Sequence, residues 1–201
     1  MLVNVINSRG WQVVAFFDNK EMPSILDGVP VYLGEPGFNK WRRESALSND
    51  VSGLVAIGGH EGTTRIQIQK IFRAAGLILE PLIHPSAFVC SSASLGEGTQ
   101  VLAQAVVAAG AAVGAACIIN HKASVDHECV VGDGVHVAPG ATICGCVTVD
   151  SNVFIGAGAV ILPRLEIGRD SIIGAGAVVT KNVPAKSIIV GNPGRIYRKM
   201  N

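Results

Sequence analysis

Residues 119–143 read INHKASVDHECVVGDGVHVAPGATI, and every sixth residue is a branched aliphatic: Ile119, Val125, Val131, Val137 and Ile143. The phase extends back through Val113, Val107, Val101, Leu95 and Val89 to Ile83. It runs forward through Val149, Ile155, Ile161, Ile167 and Ile173 to Val179, without exception. Four residues after each aliphatic the side chain is mostly small, as at Ala87, Ala105, Cys117, Ala123, Cys129, Ala141 and Ser171. Gly often follows the aliphatic directly, as at Gly96, Gly114, Gly132, Gly156, Gly168 and Gly174. A period of six matches neither a helix nor an ordinary amphipathic strand, so it reads as a structural repeat. In a strand alternate residues share a face, so the small residue and the aliphatic two places later point inward. The residue between them points outward. Gly beside the aliphatic suits a turn with unusual backbone angles or a close backbone approach. Short strand, turn, short strand, turn is the hexapeptide pattern of a parallel β-helix.

The rest of the composition agrees with a turn-rich β architecture: 24 glycines and few aromatics in 201 residues. A formal net charge of +1 gives no electrostatic case for nucleic acid or an acidic membrane. Residues 101–119, VLAQAVVAAGAAVGAACII, carry no charge and would score as a membrane helix. They nevertheless keep the six-residue phase of their charged neighbours, so they read as β-helix core. The opening MLVNVINSRGW lacks a basic leader and a long apolar run, which makes the cytoplasm the expected location. Five cysteines, with no second pair at zinc-finger spacing beside Cys144-x-Cys146, point to free thiols and to no structural metal.

Before the repeat, Leu2, Val5 and Ile6 have helical spacing and Gly10 stops that helix. Gln12–Phe17 and Val51–Ile57 read as buried strands, and Val29–Leu33 as a shorter one. Residues 39–47 read as an exposed helix, and a second helix follows Gly58-Gly59-His60 and stops at Gly76. Alternating strands and helices indicate a small α/β domain over residues 1–80, with the repeat and a C-terminal cap over 81–201. Ligands of open α/β sheets bind at strand carboxyl ends. Asp18 stands where an acidic residue would meet a ribose hydroxyl, and Gly58 where backbone could approach a phosphate. After Val179 the phase breaks at Ala185. Ser187–Val190 and the Gly191-Asn192-Pro193-Gly194 turn then form a capping strand and basic tail.

Three histidines lie inside the repeat, none at a core position. His121 and His127 fall on turns, and His136 is the outward residue before Val137. His127 is flanked by Asp126 and Glu128. A carboxylate on one imidazole nitrogen fixes the tautomer and raises the basicity of the other, as a general base requires.

The run Asp126-His127-Glu128-Cys129, with His136-Val137-Ala138-Pro139-Gly140-Ala141, resembles the left-handed β-helix acyltransferases. The Ile83-His84-Pro85-Ser86-Ala87 junction and the Gly191-Asn192-Pro193 ending narrow the resemblance. They are similar to the bacterial nucleotide-sugar acetyltransferases and sialic acid O-acetyltransferases. In that family a Rossmann-like α/β domain precedes the β-helix, and three hexapeptides make one coil. Residues eighteen apart then stack, giving roughly five to six coils at about 4.8 Å each. The resemblance implies His127 as general base with Glu128 as its orienting partner. It places His136 on the acetyl-CoA thioester and backbone around Ala157 and Ala175 along the pantetheine channel. Asp18, Gly58 and Arg65 would hold a nucleotide sugar, with Asn120 as a nearby polar partner. It further implies a homotrimer with active sites between subunits. Relatives begin with a strand and a Gly-rich turn before the first helix, whereas this sequence starts inside that helix, so either the start is misassigned or the nucleotide-binding part is truncated. The resulting expectation is acetyl transfer from acetyl-CoA to the amine of a UDP-4-amino-4,6-dideoxy sugar, without a metal. A sugar O-acetyltransferase is the alternative. A β-helix carbonic anhydrase using His121, His127 and His136, and a non-catalytic scaffold, are more distant ones.

Overall fold

The computed structural model describes residues 2–45 and 50–200. The repeat forms a three-walled parallel β-helix of two-residue rungs, and every rung pairs with the one eighteen residues on. The first wall runs from Leu82–Ile83 through Ile118–Ile119 and His136–Val137 to Ser187–Val190. The second runs from Phe88–Val89 to Val178–Val179, and the third from Ser94–Leu95 to Glu166–Ile167. Rungs alternate as expected, with Ser124 outward and Val125 buried. From Val101 onward the inward aliphatics are almost fully buried and form one continuous cluster with Ala105, Cys117 and Ala141. Each contributes about 1.5–3 kcal/mol on burial. Residues 101–119, with their membrane-like hydropathy, run through four successive rungs of this core. Among the described residues no helix is long and apolar enough to cross a membrane.

Corners are four-residue turns closed by hydrogen bonds such as Ala123 N–H to Asn120 O. Their third residue has positive φ, supplied by Gly98, Gly110, Gly134 and Gly140 but also by Lys122, Glu128 and Cys146. The glycines that directly follow the aliphatics serve close approach instead. A Cβ on Gly96 would lie 2.4 Å from Ala115 N in the next coil. The repeat slips where the sequence breaks phase: Val183 bridges Ile167, and Ile189 restores the buried position. Arg195–Lys199 then turns back antiparallel on Ser187–Val190.

The N-terminal part starts with helix α1 (Leu2–Ser8), ended by Gly10 at φ 74. Strand β1 (Phe16–Asp18) pairs in parallel with β2 (Val31–Leu33), which leads into helix α2 (Gly34–Glu44). The helix expected over 39–47 thus begins earlier, with Pro36 in its first turn, where a missing N–H costs little. Residues 46–47 of that expectation lie outside the described residues. Helix α3 (Gly62–Ala74) is closed by Gly76 N–H bonding Arg73 O. Phe17, Phe38, Trp41 and Phe72 meet at ring-centroid distances of 5.1–5.2 Å to form the local core.

Two expected strands are only partly realised. Of Gln12–Phe17 only its end joins a ladder, and Val51–Ile57 touches one, at the Ser52–Ile78 bridge. An apolar groove of about 810 Å³ separates the two segments, lined by Ile6, Val14, Ile25 and Leu54 among others, so neither is the other's neighbour. Val55, Ile57 and Gly59 instead give their carbonyls to side chains. Gln100 Nε2 reaches Val55 O at 2.8 Å, Arg65 Nη1 reaches Ile57 O at 3.2 Å, and His136 Nδ1 reaches Gly59 O at 3.0 Å. Alternate carbonyls of an extended segment point one way. Here three side chains, two of them from the first wall, replace a partner strand and seat the segment against the β-helix.

Candidate active site

His127 stands at the corner between the second and third walls. Asp126 Oδ1 accepts the His127 backbone N–H at 2.7 Å and fixes the turn, and Glu128 follows at φ 55. The imidazole Nδ1 lies 3.3 Å from Glu128 Oε2. A carboxylate only accepts here, so Nδ1–H donates and Nε2 keeps its lone pair. Half of the His127 side chain is exposed. In the next coil Gly145 makes room for the ring: a Cβ there would sit 2.3 Å from His127 Nε2.

Cys146, eighteen residues after Glu128, was not singled out from sequence as part of this site. Its thiol donates to Glu128 Oε2 at 3.5 Å and lies 4.0 Å from His127 Nδ1. Desolvation, then the hydrogen bond and charge of Glu128, push the thiol pKa up, so it stays protonated and donating. The signal that could have found it is the eighteen-residue stacking distance, which sets Cys146 over Glu128 and Gly145 over His127.

His136 belongs to a different wall and environment. It points outward from its rung, as expected, but the Gly59 loop covers it to 6% exposure. Gly59 O can only accept, so Nδ1 carries the proton, and Nε2 receives Asn120 Nδ2–H at 3.1 Å. Burial pushes its pKa down, and the Gly59 bond opposes this in part. Phe154 packs edge-on at 5.3 Å, and a Cβ on Gly58 would lie 3.9 Å from the ring.

Residues 146–181 match the bacterial transferase hexapeptide family of six repeats. PerB of Caulobacter crescentus, solved with CoA and GDP-perosamine, is 32% identical; the match covers 98% of this chain and 91% of that one, at a TM-score of 0.88. The chain belongs to the hexapeptide-repeat sugar acetyltransferases. The acetyltransferase domain of PglB from Neisseria gonorrhoeae FA1090, solved with acetyl coenzyme A, is also 32% identical. That match covers 97% of this chain and 92% of that domain, at a TM-score of 0.84. WeeI of Acinetobacter baumannii AYE is 28% identical over 98% of this chain and 92% of its own, also at 0.84. The β-helix is the left-handed kind expected from the sequence.

In this member of the family the expected site residues separate into groups. His127 and Glu128 meet, with Cys146 added. His136, Asn120 and Gly58 meet beneath the N-terminal loop. Ala157 and Ala175 are exposed and stack eighteen apart on the corner that also carries His121. Asp18 is exposed at the end of β1, its Oδ1 accepting Lys20 N–H at 2.8 Å. Two of the expected residues are engaged within the chain. Arg65 is 1% exposed and spends its guanidinium on Ala116 O, Ile57 O and Gly134 O. His136 has both ring nitrogens engaged within its own chain, which leaves none for a thioester in this arrangement. His121 and His127 stand on different corners of the prism and His136 on its first wall.

Proposed function

We propose that this chain moves the acetyl group of acetyl-CoA onto the amine of a nucleotide-linked 4-amino-4,6-dideoxy sugar of the UDP type, with His127 as general base. Membership of the family makes it an acetyl-CoA-dependent sugar N-acetyltransferase. The observation carrying the finer reading is the His127–Glu128 pair, with Nδ1–H held by the carboxylate on a half-exposed ring. As the amine attacks the thioester carbonyl, its proton passes to Nε2 and Glu128 stabilises the imidazolium. Collapse of the tetrahedral adduct breaks the C–S bond, and the proton leaves with the CoA thiol. The raised pKa of Cys146 makes it a poor nucleophile and favours direct transfer over an acyl-enzyme.

In this reading residues 1–80 hold the acceptor through Asp18 and Gly58, and residues 81–201 carry the transfer. Exposed Ala157 and Ala175 offer backbone to the pantetheine arm. A homotrimer would set the His127 corner of one subunit beside a wall of the next. The exposed, stacked Phe88 and Val106 on the second wall are apolar surface suited to such packing. Reliance on acetyl-CoA and a nucleotide sugar favours a cytoplasmic location. A GDP-linked acceptor is the second reading, favoured by the GDP-perosamine bound in PerB.

The test is CoA thiol release with UDP-4-amino-4,6-dideoxy-N-acetylglucosamine or GDP-perosamine, in the wild type and His127→Ala. General-base loss should lower kcat about 100- to 10,000-fold while acetyl-CoA binding persists. Two variants of the Caulobacter enzyme that replace one histidine, by Asn and by Ala, still hold both CoA and GDP-perosamine. Unchanged turnover in His127→Ala removes it from the mechanism, and release with the GDP sugar alone selects the second reading.

A further inference from the structure

We propose that His127, Glu128 and Cys146 form a binding site for a borderline-soft divalent metal, of the zinc or cobalt class, which switches the enzyme off. The three donor atoms lie 3.3 Å (Nδ1 to Oε2), 3.5 Å (Oε2 to Sγ) and 4.0 Å (Sγ to Nδ1) apart. Zinc bonds of about 2.0–2.1 Å to N and O and about 2.3 Å to S, at tetrahedral angles, put such atoms about 3.3–3.6 Å apart. Two edges match, and the third closes by a small rotation of Cys146. Sequence reading looked for a partner of Cys146 at Cys144, two residues away, whereas its partners lie one coil earlier.

The backbone beneath the site is fixed before any ion arrives. Cys146 N–H bonds His127 O at 2.9 Å across the coils, and Asp126 holds the His127 turn. Thiolate, imidazole and carboxylate select zinc-like ions over magnesium or calcium, and the two anions neutralise the charge. The exposed position of His127 and Glu128 leaves a fourth place for water. Binding releases the thiol proton of Cys146. The metal takes Nδ1, so the imidazole proton moves to Nε2, where the lone pair is needed, and Glu128 is withdrawn from its orienting role. The inhibitory half therefore rests on His127 being the base, and the binding half does not.

Chelator-treated full-length protein would be titrated with Co²⁺ and followed by absorption, with Zn²⁺ competing. A thiolate-to-cobalt charge-transfer band should appear at one equivalent, persist in Cys144→Ser, and disappear in Cys146→Ser with affinity at least about tenfold weaker. No band, or a band surviving in Cys146→Ser, overturns the site. Zn²⁺ should also abolish CoA release, and a chelator should restore it. A normal band in an enzyme that turns over despite bound zinc overturns the switch and the assignment of His127 as base, while leaving the metal site in place.

Discussion

Replacing Arg65 with Met separates two roles that sequence alone could not. A nucleotide-binding arginine would be exposed in the free enzyme, and its loss would raise the acceptor KM without touching stability. Arg65 instead bonds Ala116 O at 2.9 Å, Gly134 O at 2.6 Å and Ile57 O at 3.2 Å. Two of these carbonyls sit on β-helix corners and one on the extended segment before α3, so the guanidinium ties the two parts together. Hydrogen bonds to a charged group are worth about 1.5–3 kcal/mol each, but the buried cation also carries its own desolvation cost, seen as a lowered pKa. Arg65→Met removes the cation together with its desolvation cost but orphans three carbonyls at about 1–3 kcal/mol each, about 3–5 kcal/mol net. For a chain of this size each kcal/mol shifts Tm by about 2–4 °C, so Arg65→Met should lower Tm by about 6–20 °C. Arg65→Lys should recover little, since an ammonium cannot span three carbonyls in the guanidinium's fork. Thermal unfolding by circular dichroism, beside acceptor KM on the same samples, decides the matter. An unchanged Tm with a raised KM would refute the clamp and restore Arg65 to the sugar site.

Gly145→Ala should act on chemistry rather than stability. The three atoms nearest its Cβ all belong to the exposed His127 ring, which can swing aside, so kcat should fall on the order of 100-fold. Tm should stay nearly constant, and a large Tm loss would contradict this. Gly96→Ala drives a Cβ into the Ala115 backbone, which cannot yield, and urea unfolding should show a loss of about 1–3 kcal/mol or more. Gly110→Ala meets nothing closer than 3.5 Å and pays only for its φ of 68, so its loss should be the smaller of the two.

The β-helix was legible because its physics is periodic: every inward position makes the same demand, and the chain answers with an aliphatic at every sixth residue. His127 and Glu128 were legible because they are adjacent on one turn. Cys146 was hidden because stacking, and not adjacency, brings it to them. Asp18 and Gly58 fall where strand ends were expected, yet Arg65 shows why residue type plus position misleads. An arginine opening a helix after a Gly-rich turn suits a phosphate equally well, and only the nearness of the Ala116 and Gly134 carbonyls reveals its occupation. The Val51–Ile57 segment has strand composition, but a ladder needs a neighbour, and its neighbours are the side chains Gln100, Arg65 and His136.

That substitution gives the seam a pH dependence. His136 holds Gly59 O through Nδ1–H and accepts Asn120 Nδ2–H at Nε2, so only the neutral ring satisfies both. Protonation turns Nε2 into a donor facing another donor. Asn120 cannot flip freely to accommodate it, because its Oδ1 accepts the His121 N–H at 2.8 Å. Burial accordingly lowers the folded pKa beneath the ordinary value of about 6.5. The unfolded chain therefore binds a proton first as pH falls. Stability is complete above about pH 6.5 and declines as pH drops from there through the lowered folded pKa. The loss should begin at the seam, opening the Gly59 loop while the β-helix core persists, since the core's inward side chains carry no group that titrates in this range. Hydrogen exchange at pH 7.5 and pH 5.5, corrected for intrinsic rates, should show selective deprotection of residues 55–62 at the lower pH. His136→Gln, whose amide offers both a donor and an acceptor, should abolish the difference. Equal protection at the two pH values in the wild type would show that the imidazole does not hold the loop, and the seam would then rest on Arg65 and Gln100 alone.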